Sequence, residues 1–308
     1  MAQSTALLRI GTRGSPLALV QARMVASRLA SALGCGQEAI ELKIIRTSGD
    51  AIQDRPLAEE GAKGLFTKEI EEALLQGAID LAVHSAKDMP TVLPDGLMLA
   101  ACLEREDPRD VFISRKARSL AELPQGASLG TASLRRQAIA KRARDDLRIM
   151  PLRGNVETRL RKLDGGDFDA TILALAGLKR LGLTKHATAI MSVDEFLPAV
   201  GQGAIGIETR ENDGRTRELL ARIDHDDTSI ALACERAFLA ELDGSCKTPI
   251  GGHATVSGDT LHFRGLIVRP DGSSAHDIVA NGHRGDRIKI GSEAGHELRR
   301  LGGPHFFE

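Results

Sequence analysis

Tryptophan and tyrosine are absent from the 308 residues, and phenylalanine occurs only eight times. Proteins that hold single-stranded nucleic acid stack bases on aromatic rings, so that class loses its main support. Net charge is −1, with 41 basic and 42 acidic side chains, which leaves no global field for nucleic acid or a membrane surface. The four cysteines (Cys35, Cys102, Cys234 and Cys246) form no CxxC pair and show no metal-ligand spacing. They read as reduced thiols of a cytoplasmic protein. No run approaches the roughly 20 apolar residues of a membrane span. The opening Met1–Ala6 stretch lacks the apolar core of a signal peptide.

What is present is an ordinary soluble composition, 42% hydrophobic and 27% charged, in a chain long enough for two or three domains. Arginine is over-represented, at 30 against 11 lysines. Its planar fork pairs bidentately with carboxylates and phosphates. A compositional bias of the genome gives the same surplus, so individual positions have to decide.

The first two-thirds of the chain alternate strands and helices. Ala6–Gly11 reads as a strand, and Ser15 caps a helix with Pro16 at its first position and Leu17, Val20 and Met24 on one face. Glu41–Thr47 and Ile79–Val83 read as strands, with a helix between them marked by Phe66, Ile70, Ala73 and Leu74 and stopped at Gly77. The pattern restarts at Val111–Ser114. A helix is expected to begin at Leu120–Leu123, followed by a strand at Ser128–Thr131 and a helix from Ser133. Leu147–Pro151 leads to a helix containing Arg159, and Asp169–Ala174 to a short helix over Gly177–Leu183. Such alternation predicts α/β architecture with a mostly parallel sheet and ligands beyond the strand C-termini. Val200–Ile207 reads as a glycine-flexed strand crossing between domains. From about Asp224 the texture becomes that of a small α+β domain with short strands and a final helix near Ile290–Leu301.

Loop after loop at the predicted strand ends carries Arg or Lys beside Ser, Thr or Gly. The set is Arg13 and Ser15, then Lys87 and Asp88, then Ser133, Arg135 and Arg136, then Arg153 and Arg159, then Arg180. Helix N-termini attract anions and arginine forks add charge and geometry, so the expected ligand is rich in carboxylates or phosphates. No Walker or Rossmann glycine pattern supports a nucleotide. Asp88 is the odd residue in this basic setting: it either does chemistry on a proton or a developing cation, or it caps a helix or pairs with Lys87. His84 reads as a structural histidine, and Glu235 with Arg236 as a pair on a helix surface. Cys246, just past a helix end at Asp243-Gly244, lies in a Ser-Cys-Lys-Thr-Pro loop with Lys247 favouring the thiolate. Cys35, Cys102 and Cys234 read as small apolar fillers.

Taken together, Gly11-Thr12-Arg13-Gly14-Ser15-Pro16-Leu17-Ala18-Leu19, His84-Ser85-Ala86-Lys87-Asp88-Met89-Pro90, Gly130-Thr131-Ala132-Ser133-Leu134-Arg135-Arg136-Gln137, Leu152-Arg153-Gly154-Asn155-Val156-Glu157-Thr158-Arg159-Leu160 and the Cys246 loop resemble the porphobilinogen deaminase family. The resemblance runs from Gly11 to about Gly252. It implies two periplasmic-binding-protein-like domains enclosing a cleft, 1–103 with 201–222 and 104–200, plus a small α+β domain over 223–308. It also implies a dipyrromethane cofactor joined to the Cys246 sulfur by a thioether, four porphobilinogen units added head to tail with loss of ammonia, and release of the linear product by hydrolysis. On this resemblance Asp88 is catalytic. Lys87, Asp88, Ser133, Arg135, Arg136 and Gly154 hold the cofactor, and Arg13, Ser15, Arg153, Arg159 and Arg180 bind substrate carboxylates. Asp50 and Lys63 fall in a segment, Ser48–Gly64, expected to cover the cleft. Gly14 and Ala86 stand where relatives carry larger residues. A cytoplasmic monomer without metal, nucleic-acid or membrane partners is implied. The competing expectation is a binding module that grips a polyanion and does no chemistry.

Overall fold

A computed structural model describes residues 6–51, 66–242 and 248–307. Along the chain, β1 (Leu8–Thr12) leads into α1 (Pro16–Leu33), β2 (Ile40–Ile44) into the single turn α2 (Ser48–Ala51), and α3 (Lys68–Leu75) into β3 (Leu81–Ser85) and β4 (Leu97–Cys102). Next come β5 (Asp110–Ser114), β6 (Ser128–Gly130), α4 (Leu134–Ala143), β7 (Arg148–Met150), α5 (Val156–Asp164), β8 (Ala170–Ala174), α6 (Leu175–Arg180) and β9 (Ala189–Ile190). They are followed by β10 (Ile205–Arg210), α7 (Gly214–Leu220), α8 (Asp226–Glu241), β11 (Ile250–Ser257), β12 (Thr260–Val268), β13 (Ala275–His283) and α9 (Arg287–Gly302).

The chain divides into two compact units. One is Met1–Arg105 with Ala204–Ser229, the other Glu106–Gly203 with Ile230–Glu308. The sheet of the first runs β2-β1-β3-β10-β4, with β2, β1 and β3 parallel and β10 antiparallel to both its neighbours. The five-stranded sheet of the second runs β7-β6-β8-β5-β9 on the same plan: three parallel strands, then β5 antiparallel to β8 and β9. Each sheet is thus mostly parallel, as expected, with one reversed strand, β10 in the first and β5 in the second. The reason lies in the connectivity: β5 and β10 are the first strands after the chain passes from one unit into the other, so neither is reached by a βα crossover.

Both faces of these sheets are covered. In the second unit Phe112 and Ile172 pack with Leu129, Ala138 and Leu147, while the alternate residues Val111, Ile113 and Leu173 pack with Leu160, Leu163 and Phe168. In the first unit α1 lies on the sheet through Ala22, Val25, Ala26 and Leu29. The buried face is displaced from the expected one, since Met24 is 40% exposed and Gln21 is buried. Ser15 caps this helix as expected, its Oγ accepting the Ala18 N–H at 3.3 Å. The helix expected at Leu120–Leu123 is absent: 119–126 forms turns, because Pro124 and Gly126 leave no room for a hydrogen-bonded turn to propagate.

The remaining elements of the second unit form the antiparallel sheet β11-β12-β13. Its core joins Phe238 of α8 and Leu298 of α9 to Phe263, Ala254 and Ile267. Phe238 is fully buried with its ring 4.9 Å from that of Phe263. Burial of one such side chain contributes about 3 kcal/mol.

Candidate functional site

In the first unit β1 and β3 are parallel neighbours, so the loops leaving them emerge side by side. The loop after β1 carries Arg13, whose guanidinium lies 4.2 Å from the centre of the Phe66 ring. The one after β3 is a single 3-10 turn over Ala86–Asp88, closed by the Met89 N–H on the Ala86 carbonyl at 3.3 Å. The strand end before the turn is held firmly. Ser85 exchanges hydrogen bonds with Gln21 of α1 at 2.9 and 3.2 Å, and the Ala86 N–H donates to the Ala204 carbonyl at 3.0 Å. His84 is structural, as its sequence setting indicates: it is buried with Nε2 3.1 Å from Oε2 of Glu208. Asp88 is exposed and ends the turn rather than capping a helix. Among the described residues it has no hydrogen-bond or ion-pair partner. The structure thus brings Arg13, Ser15, Lys87 and Asp88 to one end of one sheet. Asp50 lies in α2, and Lys63 lies outside the described residues.

In the second unit β7, β6 and β8 are parallel neighbours, and the remaining expected residues follow their C-terminal ends. After β6, Ser133 caps α4 by accepting the Arg136 N–H at 3.4 Å. The next two side chains do not project from the loop as open forks. Arg135 and Arg136 are 4% and 6% exposed and converge on Asp110 at the start of β5. Arg135 Nη2 donates to Asp110 Oδ2 at 2.7 Å, and Arg136 donates to Oδ1 through Nε at 3.1 Å and Nη2 at 2.7 Å. Gln202 Nε2 adds a bond to Oδ1 at 3.0 Å. Burial alone pushes the Asp110 carboxyl up, but the two guanidiniums outweigh it and leave it at about 2. The trio therefore carries two positive charges and one negative in the interior. The Arg135 Nε, moreover, is buried with no hydrogen-bond partner.

After β7, Gly154 takes φ 109°, a backbone that side chains rarely adopt, and a Cβ there would lie 2.8 Å from Thr158. Its carbonyl accepts Arg159 Nε at 2.8 Å, and Asn155 caps α5 by accepting the Thr158 N–H at 2.8 Å. Arg153 is half-buried beside them. Past β8, Arg180 ends α6 and donates Nη2 to the Gly203 carbonyl at 2.7 Å, while its Nε is buried without a partner. Burial pulls this guanidinium below its ordinary value.

Cys246 lies outside the described residues, between the end of α8 and the start of β11. The flanking elements are fixed by a residue that the sequence reading places elsewhere. Glu235 is not on a helix surface: it is fully buried, with Oε2 accepting the Gly201 N–H and Oε1 the Ala254 N–H, both at 2.7 Å. Cys234 beside it is buried, and burial with the Glu235 charge raises its thiol to about 12, so it is inert filler as expected. Cys102 is also buried, and Cys35 partly so. Asp110, Gln202 and Glu235 are the polar residues at these positions that sequence reasoning misses.

These are α/β units whose strand-end loops and helix starts carry basic side chains, with the carboxylate of Asp88 exposed among them. The family model described as porphobilinogen deaminase, dipyromethane cofactor binding domain, matches residues 8–218, and that of the porphobilinogen deaminase C-terminal domain matches 229–300. The porphobilinogen deaminases of Nitrobacter winogradskyi and Nitrobacter hamburgensis are each 60% identical over 301 residues, 98% of this chain and 95% of theirs. This chain belongs to the porphobilinogen deaminase family. Among solved structures, a putative methionine-binding lipoprotein of Bacillus subtilis aligns with TM-score 0.43 at 14% identity, covering 70% of this chain and 89% of that one. The methionine-binding protein MetQ aligns with TM-score 0.44 at 16% identity, covering 72% and 91%.

Proposed function

We propose that this chain carries out the reaction for which its family is named: it condenses four porphobilinogen molecules head to tail, with loss of ammonia, on a dipyrromethane primer bound through a thioether to Cys246. The observation that carries this reading is the Arg135–Arg136–Asp110 trio, one positive charge in excess in a buried setting, with an unpartnered Arg135 Nε. A buried donor without a partner and an uncompensated buried charge both favour an anionic ligand group. Porphobilinogen carries an acetate and a propionate, so a dipyrromethane made from it fits this donor set.

Cofactor carboxylates are held by Lys87, Ser133, Arg135 and Arg136, with Gly154 letting the backbone approach closely. Arg13, Ser15, Arg153, Arg159 and Arg180 take the carboxylates of incoming units. When bound, dipyrromethane supplies a nucleophilic pyrrole end on which the chain is extended. Asp88, solvated and unpaired by other described residues, supplies a negative charge beside the cation left as ammonia departs and accepts the pyrrole proton released afterwards. The reading divides the chain into three domains, 1–103 with 201–222, 104–200 and 223–308, working as a cytoplasmic monomer.

Intact mass of the purified chain tests it, beside Cys246→Ser. Mass of a two-pyrrole unit on the parent and not on the variant is expected. A parent that stays unmodified even after incubation with porphobilinogen overturns the reading in favour of a plain anion binder. Asp88→Asn is expected to keep the fold and lose about 10²–10⁴-fold in turnover. Normal turnover in that variant removes Asp88 from the chemistry.

A further inference from the structure

The reading above gives Arg135 and Arg136 to a ligand carboxylate, and the following step rests on it. What it leaves out is how two adjacent guanidiniums come to lie side by side in the interior at all. Like charges repel, and burial penalises each of them. The Arg135 and Arg136 side chains are 4% and 7% exposed. Asp110 resolves the conflict. It is fully buried, and each of its oxygens takes a different arginine: Oδ2 from Arg135 at 2.7 Å, Oδ1 from Arg136 at 2.7 and 3.1 Å. A carboxylate bridging two forks fixes the distance between them and the plane of each. Gln202 presses on the same carboxylate at 3.0 Å and ties it to the Pro108 carbonyl at 2.7 Å, so the bridge itself cannot swing. The Leu197 carbonyl takes Arg135 Nη1 at 2.7 Å, so Nε is the one nitrogen of this guanidinium without a bond.

We propose that Asp110 is the positioning residue of the arginine fork: it bridges Arg135 and Arg136 and reduces their combined charge to one, so that the pair receives a single ligand carboxylate. Asp110 itself touches no reacting atom. Its neutralising role makes the fork selective by charge count, since one carboxylate completes the balance and a second is left uncompensated. Asp110→Asn raises the cluster from one positive charge to two and leaves a single oxygen to accept bonds that now come from three side chains.

The test uses the full chain in cofactor-free form and reads covalent loading by porphobilinogen as the rate of mass gain per folded molecule. It compares the parent, Asp110→Asn, Asp110→Glu and a control, Leu298→Ala, a core substitution that lowers stability in a cluster holding no residue of α4 or β5. Loading about tenfold slower in Asp110→Asn, partly restored in Asp110→Glu and unchanged in the control, is the expected result. Loading of Asp110→Asn at the control rate overturns the proposal while leaving the family reading intact, because the parent still loads. If Asp110→Asn does not fold, Asp110→Glu decides: its charge is kept but its oxygens are displaced by one methylene, so loading at the full parental rate overturns the positioning role. A parent that gains no mass overturns the reading on which the proposal stands.

Discussion

Replacing Glu235 by glutamine changes one oxygen to an amide nitrogen, and its consequence follows from two bonds that the carboxylate makes. In these the partners are backbone N–H groups, at Gly201 and Ala254, and the side chain is wholly buried. A glutamine accepts from one of them and turns an N–H donor toward the other. The loss is then a charge-assisted bond, about 1.5–3 kcal/mol, with a buried donor left unpaired at about 1–3 kcal/mol. These overlap, so about 3 kcal/mol is expected for the unit that contains both partners. For a unit of this size each kcal/mol lowers the midpoint by about 2–4 °C, giving a fall of roughly 6–12 °C. Differential scanning calorimetry reads it directly, and Glu235→Asp, one methylene too short to span both N–H groups, should fall by a similar amount. A midpoint within about 2 °C of the parent in Glu235→Gln refutes the clamp.

Two further outcomes are expected. Gly203 has φ 90°, and a Cβ there would meet the Glu106 carbonyl oxygen at 2.2 Å, whereas Gly258 at φ 58° faces open space. Gly258→Ala should therefore cost only the conformational term, about 1–2 kcal/mol, and Gly203→Ala clearly more in urea unfolding; equal losses would show that the clash is relieved at no cost. Burial, aided by the charge of Glu208, holds the Glu71 carboxyl above its ordinary value against the opposing pull of Thr67 and His84. The folded state thus binds a proton that the unfolded chain releases, so this contribution is complete below the unfolded value near 4.5 and declines as pH rises through the folded one. Glu71→Gln should flatten that decline in urea titrations at pH 4.5 and pH 8, and an unchanged pH slope would assign it to other groups.

Features legible in the sequence are those whose physics is local. Ser15 caps the helix that begins beside it, through a bond spanning three residues, and a helix does start at Ser133. The strand-end positions of Arg13, Asp88, Arg153 and Arg180 follow from the same alternation of apolar runs and breaks. Sequence reasoning fails where partners are distant. Asp110 closes a charged run, Glu104-Arg105-Glu106-Asp107-Pro108-Arg109-Asp110, in which nothing local marks it for burial, and its partners stand 25 and 26 residues away. Glu235 has apolar helical neighbours in Ala231, Leu232, Phe238 and Leu239, but its charge reads as a surface residue, and the backbone N–H groups of Gly201 and Ala254 that accommodate the charge are distant in sequence. On α1 the helical spacing puts Met24 on one face with Leu17 and Val20. The structure leaves Met24 40% exposed and buries Gln21, which is bound to Ser85 on β3, 64 residues on. Strand direction at β5 and β10 escaped for the same reason: periodicity shows that a strand exists and says nothing about which side the chain enters from.

Several distant bonds of the second unit converge on one short stretch without regular structure, Leu197 to Gln202. Leu197 accepts Arg135 Nη1 at 2.7 Å, Pro198 accepts the Gly252 N–H at 3.0 Å, Gly201 donates to Glu235 at 2.7 Å, and Gln202 reaches Asp110 and Pro108. Loops are ordinarily the mobile and variable part of a fold. Four of its six residues are bonded to α4, α8, β5 and β11, so it opens only if several of these bonds break together. The strand it grips, β11, is the first element after the cysteine at 246. The arginine fork and the strand after that cysteine thus share one support. A substitution that loosens the support, Glu235→Gln among them, therefore acts on both at once.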